Sequence, residues 1–76
     1  MTKKDWTDEV EGVVAAAGLP WRVTTAWVEQ HTPLCCAELS DTRTGQQRRV
    51  ILARDRFPTP PERRAEIVRQ LQPARK

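Results

Sequence analysis

The chain has 76 residues, 38% hydrophobic and 30% charged, with a formal net charge of +3. That length makes one domain with a small core, which leaves little room for a deep, water-free active site. No apolar run approaches the ~20 residues that span a bilayer, and the opening Met1-Thr2-Lys3-Lys4-Asp5-Trp6 has no apolar stretch after its lysines. The expectation is a single cytoplasmic domain over residues 1–76, without a membrane segment or secretory leader.

In chain order, Trp6, Val10, Val13, Val14 and Ala17 fall at helical spacing and predict an amphipathic helix from Asp5 to Ala17. Asp5, Asp8 and Glu9 put negative charge near its exposed amides. Gly18 supplies a left-handed stop, and Pro20 prevents continuation. The period then falls from 3.6 to 2. Trp21, Val23, Thr25 and Trp27 alternate with Arg22, Thr24, Ala26 and Val28, which predicts a first strand.

Gln30-His31-Thr32-Pro33 reads as a turn. Leu34 to Ser40 predicts a second strand, with Cys35, Ala37 and Leu39 on one face and Cys36, Glu38 and Ser40 on the other. Asp41-Thr42-Arg43-Thr44-Gly45 is a hairpin loop, Asp opening it and Gly providing the positive φ. A third strand runs from Gln46 to Arg54. Either Val50 with Leu52, or Ile51 with Ala53, serves as its buried face, and the choice decides which of Arg48 and Arg49 points outward.

Thr59-Pro60-Pro61-Glu62 predicts a capping box with proline at the first helical position. The helix runs to about Gln72, stopped by Pro73, with a frayed basic tail over 73–76. Ala65, Ile67, Val68 and Leu71 form its buried stripe, while Arg63, Glu66, Arg69 and Gln70 face outward. The fold class is therefore α+β, in the order α-β-β-β-α. A three-stranded antiparallel sheet carries both helices on one face and leaves the other open.

Charge is divided unevenly along this layout. From Thr42 to Lys76 ten Lys/Arg stand against three acids, giving +7; from Met1 to Asp41 three stand against seven, giving −4. Such a dipolar molecule attracts an anionic partner to one face and repels it from the other. Arg48, Arg49, Arg54, Arg56, Arg63 and Arg64 lie within seventeen residues, and Arg69 follows five residues later. Their planar, bidentate donors match phosphate or carboxylate. If four to six of them met phosphates, affinity would fall with salt at a slope of about −4 to −5. Trp6 and Trp21 are expected to close the core, and Trp27, near a strand end, to anchor a partner.

Catalytic chemistry is not written in the chain. Zinc needs three or four convergent ligands, and only His31, Cys35 and Cys36 lie close in sequence, the adjacent cysteines on opposite faces of a strand. Adjacent cysteines staple no loop and read as thiols, Cys35 in the core and Cys36 partly exposed. There is no Gly-rich phosphate loop, His–Glu zinc helix or nucleophile elbow. No cofactor and no enzymatic activity are expected.

The α-β-β-β-α order, with Pro61-Glu62-Arg63-Arg64-Ala65-Glu66, resembles the double-stranded-RNA-binding domain and the basic start of its second helix. Arg56-Phe57-Pro58-Thr59-Pro60 stands where that family has a Gly-rich approach and paired lysines. Glu38 through the last helix resembles the arm-type DNA-binding domain of phage integrases over about half the chain. In build, a small, strongly charged domain without catalytic motifs resembles the inhibitors that phages and mobile elements direct against bacterial defence complexes, including anti-CRISPR proteins. That resemblance implies action by occupying a surface used by nucleic acid or an effector.

Together these readings predict a non-enzymatic binding or inhibitor protein whose partner is a protein or ribonucleoprotein complex. The acidic first helix would repel a duplex that wrapped the molecule, which favours that partner over free nucleic acid. The alternative is a nucleic-acid-binding module gripping phosphates through the third strand and last helix. A monomer or a homodimer fits either reading.

Overall fold

A computed structural model describes residues 1–72; the expected basic tail over 73–76 lies outside them. The element order is α1 (Lys3–Ala16), β1 (Trp21–Val28), β2 (Leu34–Asp41), β3 (Gln47–Ala53) and α2 (Pro60–Leu71). The three strands form one antiparallel sheet in the order β1-β2-β3. Both helices lie on one face, α1 chiefly over β1 and α2 over β3, and they touch each other. The α-β-β-β-α expectation is met. No helix among the described residues is long and apolar enough to cross a membrane.

α1 begins two residues earlier than its apolar pattern suggests, because Thr2 is the cap. The Asp5 N–H donates to Thr2 Oγ1 at 3.1 Å, and the Thr2 N–H donates back to the Asp5 carboxylate. Asp5 is thus a capping partner and the one acid of the first turn. Gly18 takes the left-handed conformation expected of it, at φ 66°. Trp6, Val10, Val13 and Val14 are buried. Trp6 is fully enclosed, and its indole Nε1 donates to the Cys36 carbonyl at 2.8 Å, pinning the helix to the central strand.

β1 departs from the simple alternation. Val23 pairs with Leu39 and Thr25 with Glu38, so Thr24 is an extra residue, a β-bulge whose hydroxyl donates to the Glu38 carbonyl at 3.0 Å. One inserted residue reverses the facing of everything beyond it. Trp21 and Val23 face the helices, and past the bulge Ala26 and Val28 do so; Thr25 and Trp27 turn to the other face. Sequence spacing alone had placed Trp21 and Trp27 in one set.

β2 keeps its expected face, with Cys35, Ala37 and Leu39 in the core. The β3 choice falls to Val50 and Leu52, which are buried, while Ile51 is 48% exposed. Asp41 Oδ1 accepts from the Arg43 N–H at 2.7 Å and the Thr44 N–H at 3.2 Å, and Gly45 turns the chain at φ 76°.

α2 corrects the expectation twice. Thr59 makes no side-chain bond to the helix amides; its hydroxyl donates instead to Glu62 Oε1 at 2.7 Å. Pro60 and Pro61 remove two of the amides a first turn offers, so little remains to cap. The buried stripe is Ile67 and Leu71 with Val68 at its margin, and Ala65 is exposed. α2 rests over the edge of the sheet, so a narrower stripe is covered.

Trp6→Ala is expected to cost about 3–5 kcal/mol, against roughly 4–11 kcal/mol of total stability for a chain of this length. Urea unfolding followed by far-ultraviolet dichroism should show the midpoint collapse, while Trp6→Phe retains a cooperative transition. A second outcome concerns acid. Asp41 is held below the ordinary carboxylate range, first by the hydrogen bond from the Arg43 amide and then, against a desolvation cost, by that from Thr44. The folded state therefore releases this proton more readily than the unfolded chain. Its stabilisation is complete above about pH 4 and fades as pH falls through the lowered value. Asp41→Asn should flatten the acid limb of a stability–pH curve relative to the parent.

Candidate functional site

Helices on one face leave the opposite face of the sheet open, and strand register defines what it carries. Leu34 pairs with Ala53 at one end. Next comes the row Trp27–Cys36–Ile51, then Thr25–Glu38–Arg49, then Arg22–Ser40–Gln47. The face is graded, with apolar side chains towards Leu34 and polar, basic ones towards Arg22. Trp27 is half-buried and Arg22 exposed.

Arg49 links the two middle rows. Its guanidinium meets Glu38 Oε2 at 2.8 Å and stands 6.0 Å from the centre of the Trp27 ring. Arg49 retains 57% side-chain exposure in that pair, so it presents donors outward while holding the indole in place. Cys36 is not the partly exposed thiol expected. It is 8% exposed, set between Trp27 and Ile51 in its row, and burial raises its pKa. Cys35, in the core, is likewise raised by burial. Neither sulfur is poised as a thiolate nucleophile. His31 lies in the exposed turn after β1.

The candidate arginines do not gather on one surface. Arg48 and Arg49 leave opposite faces of β3. Arg48 lies over Trp21 at 5.4 Å from the ring centre and donates to the carbonyls of Gln70 and Gln72, both at 3.1 Å. Trp21 Nε1 donates to the Leu71 carbonyl at 3.2 Å. These two side chains cap the C-terminus of α2, where a cation also meets the helix dipole. Arg54 is spent on the β1–β2 turn, reaching the carbonyls of Thr32 at 3.0 Å and Glu29 at 3.4 Å.

Arg63 joins the helices. Its Nε meets Glu9 Oε1 at 2.6 Å, with side-chain exposures of only 11% and 18%, and its Nη1 donates to the carbonyls of Phe57 and Pro58. Arg69 holds Glu66 one turn away on the surface. The side chains of Arg56 and Arg64 are exposed and make no hydrogen bond or ion pair among the described residues. Of the candidates, only Arg49 and Trp27 meet on the open face.

Sequence reasoning missed Ile51, Glu38 and Arg22 as neighbours of that pair. The signal existed for Ile51 and Arg49, since one of two strand faces had to be open; the bulge that brings Trp27 beside them left none. No protein-family model, curated protein or solved structure matches this chain.

The contrast between the two kinds of arginine is measurable. Arg63→Ala is expected to lower stability by about 2–3 kcal/mol, because it strands a half-enclosed Glu9 and two carbonyls. Arg49→Ala should cost under about 1 kcal/mol, the range of exposed pairs. Thermal and urea unfolding of the two variants side by side would reveal the difference; equal losses would show that Arg63 is not a structural tie.

Proposed function

We propose that this chain is a non-enzymatic binding protein that docks the open face of its sheet on a partner protein. The observation that supports this reading most is the open-face row in which an exposed Ile51 and a half-buried Trp27 flank the buried Cys36, with Arg49 beside them. Trp, Arg and an aliphatic side chain on a rigid sheet are the residue types that anchor protein interfaces. The strip is a surface rather than a pocket, which suits docking and not chemistry.

Size sets the terms of such a complex. A sheet of this width and length offers a face of roughly 27 by 14 Å, close to 400 Å². A standard interface needs about 800 Å² from each partner. The partner therefore reaches beyond the strip, over the basic end of the face around Arg22 and Gln47, and acidic groups there complement the charge. The narrower reading, an inhibitor of a nucleic-acid-handling complex of the anti-CRISPR type, draws its support from small size and divided charge. Engagement of Arg48, Arg54 and Arg63 inside the fold leaves fewer donors for phosphates and favours a protein partner over free nucleic acid.

The test uses tagged protein in host lysate, with captured proteins identified by mass spectrometry. Ile51→Glu and Arg49→Glu should abolish recovery of a defined complex, while Asp8→Lys on the far face should not. Recovery that depends on Asp8 and ignores both open-face variants would overturn the assignment. Electrophoretic shifts with duplex and single-stranded probes at ~50 and ~200 mM salt should show no steep, salt-sensitive binding. A strong shift that is lost in Arg56→Ala/Arg64→Ala would establish the nucleic-acid module instead.

A further inference from the structure

Sheet order β1-β2-β3 leaves two outer edges, and an unpaired edge is a template for another strand. At β3 the edge is already occupied. Gln70 Oε1 accepts from the Ile51 N–H at 3.1 Å, and Gln70 Nε2 donates to the Ile51 carbonyl at 2.9 Å. A neighbouring antiparallel strand would make that same pair of bonds. The amide is itself oriented, because Nε2 also donates to Glu66 Oε2 at 2.7 Å and Arg69 Nε holds Glu66 Oε1 at 2.8 Å. Two residues along, the Ala53 carbonyl accepts from the amides of Arg56 and Phe57 at 3.1 and 3.2 Å. At the other edge, the Thr24 bulge interrupts β1.

We propose that Glu66, Arg69 and Gln70 form an edge guard, in which a glutamine takes the place of the next strand and keeps β3 from pairing with β3 of a second copy. The second copy is the natural intruder because the strand is self-complementary about Val50. Antiparallel self-pairing centred there sets Val50 against Val50, Arg49 against Ile51, Arg48 against Leu52 and Gln47 against Ala53, so no like charges stand opposite each other within the strand. Such a contact is isologous and closes as a two-fold dimer with a continuous six-stranded sheet. Arg69 is thereby a positioning residue for Glu66 and, through it, for the amide of Gln70. This inference stands apart from the docking surface, since it concerns backbone groups at the edge and not side chains on the face.

The parent protein should sediment as a monomer of 8.7 kDa up to ~0.5 mM. In hydrogen exchange corrected for intrinsic rates, its Ile51 amide should be at least about tenfold slower than the Arg49 amide, which the ladder turns to the same edge. Gln70→Ala should erase that difference and give a dimer whose fraction rises with concentration. If Gln70→Ala does not fold, Gln70→Glu keeps the helix and the acceptor but loses the donor, and is read in the same way. Equal exchange at Ile51 and Arg49 in the parent overturns the proposal. So does a folded Gln70 variant that stays monomeric across the same range.

Discussion

A single buried indole sets the arrangement of the molecule. Trp6 donates its N–H to the carbonyl of Cys36, thirty residues away, and is wholly enclosed. That bond fixes both where α1 crosses the sheet and how it is rotated, because the ring fits only with Val10, Val13 and Val14 turned to the same side. With α1 held, Glu9 faces Arg63 and the second helix is located against the first. With α2 held, its C-terminus meets Arg48 and Trp21, and Gln70 reaches the edge of β3. Both helices are thereby committed to one face of the sheet. Among the described residues, no helix is left for the opposite face.

A domain of this size buries only about 60–65% of its unfolded surface, so its fold leans on polar ties at the rim of the core. Arginine supplies them here. One guanidinium carries five donors in a plane and keeps its charge when half-enclosed. Arg48, Arg54 and Arg63 use those donors on backbone carbonyls at helix ends and turns, groups otherwise left without partners. The same chemistry that makes arginine a ligand for phosphate makes it a fastener for carbonyls. Residue type alone does not distinguish the two uses; proximity to an unsatisfied acceptor does.

The proposed docking face and the proposed edge guard divide the sheet's free surface between them. Face-on contact is left available at Trp27, Ile51 and Arg49, while edge-on contact is obstructed by Gln70 on one side and by the Thr24 bulge on the other. A sheet open in both directions would associate with itself as readily as with anything else. Under that proposal, closing the edges while leaving the face bare would direct association towards partners that recognise side chains, where specificity resides.

Much of the architecture was legible in the sequence. The 3.6-residue period around Trp6 and Val10, the strand propensity after Pro20, the Asp41–Gly45 turn and the prolines before α2 are local effects, each fixed by the stereochemistry of a few neighbouring residues. Element order and the one-sided sheet followed from them. What only the tertiary structure decided was facing and partnership. The bulge at Thr24 is set by pairing with β2, so the position of Trp27 could not be read from alternation within β1. The burial of Val50 rather than Ile51 awaited the helices, because both faces of that strand are apolar enough to be covered. The roles of the arginines were hidden for the same reason: a guanidinium's task is assigned by acceptors that lie up to fifty-four residues distant in the chain and come within reach only when the sheet and helices have packed.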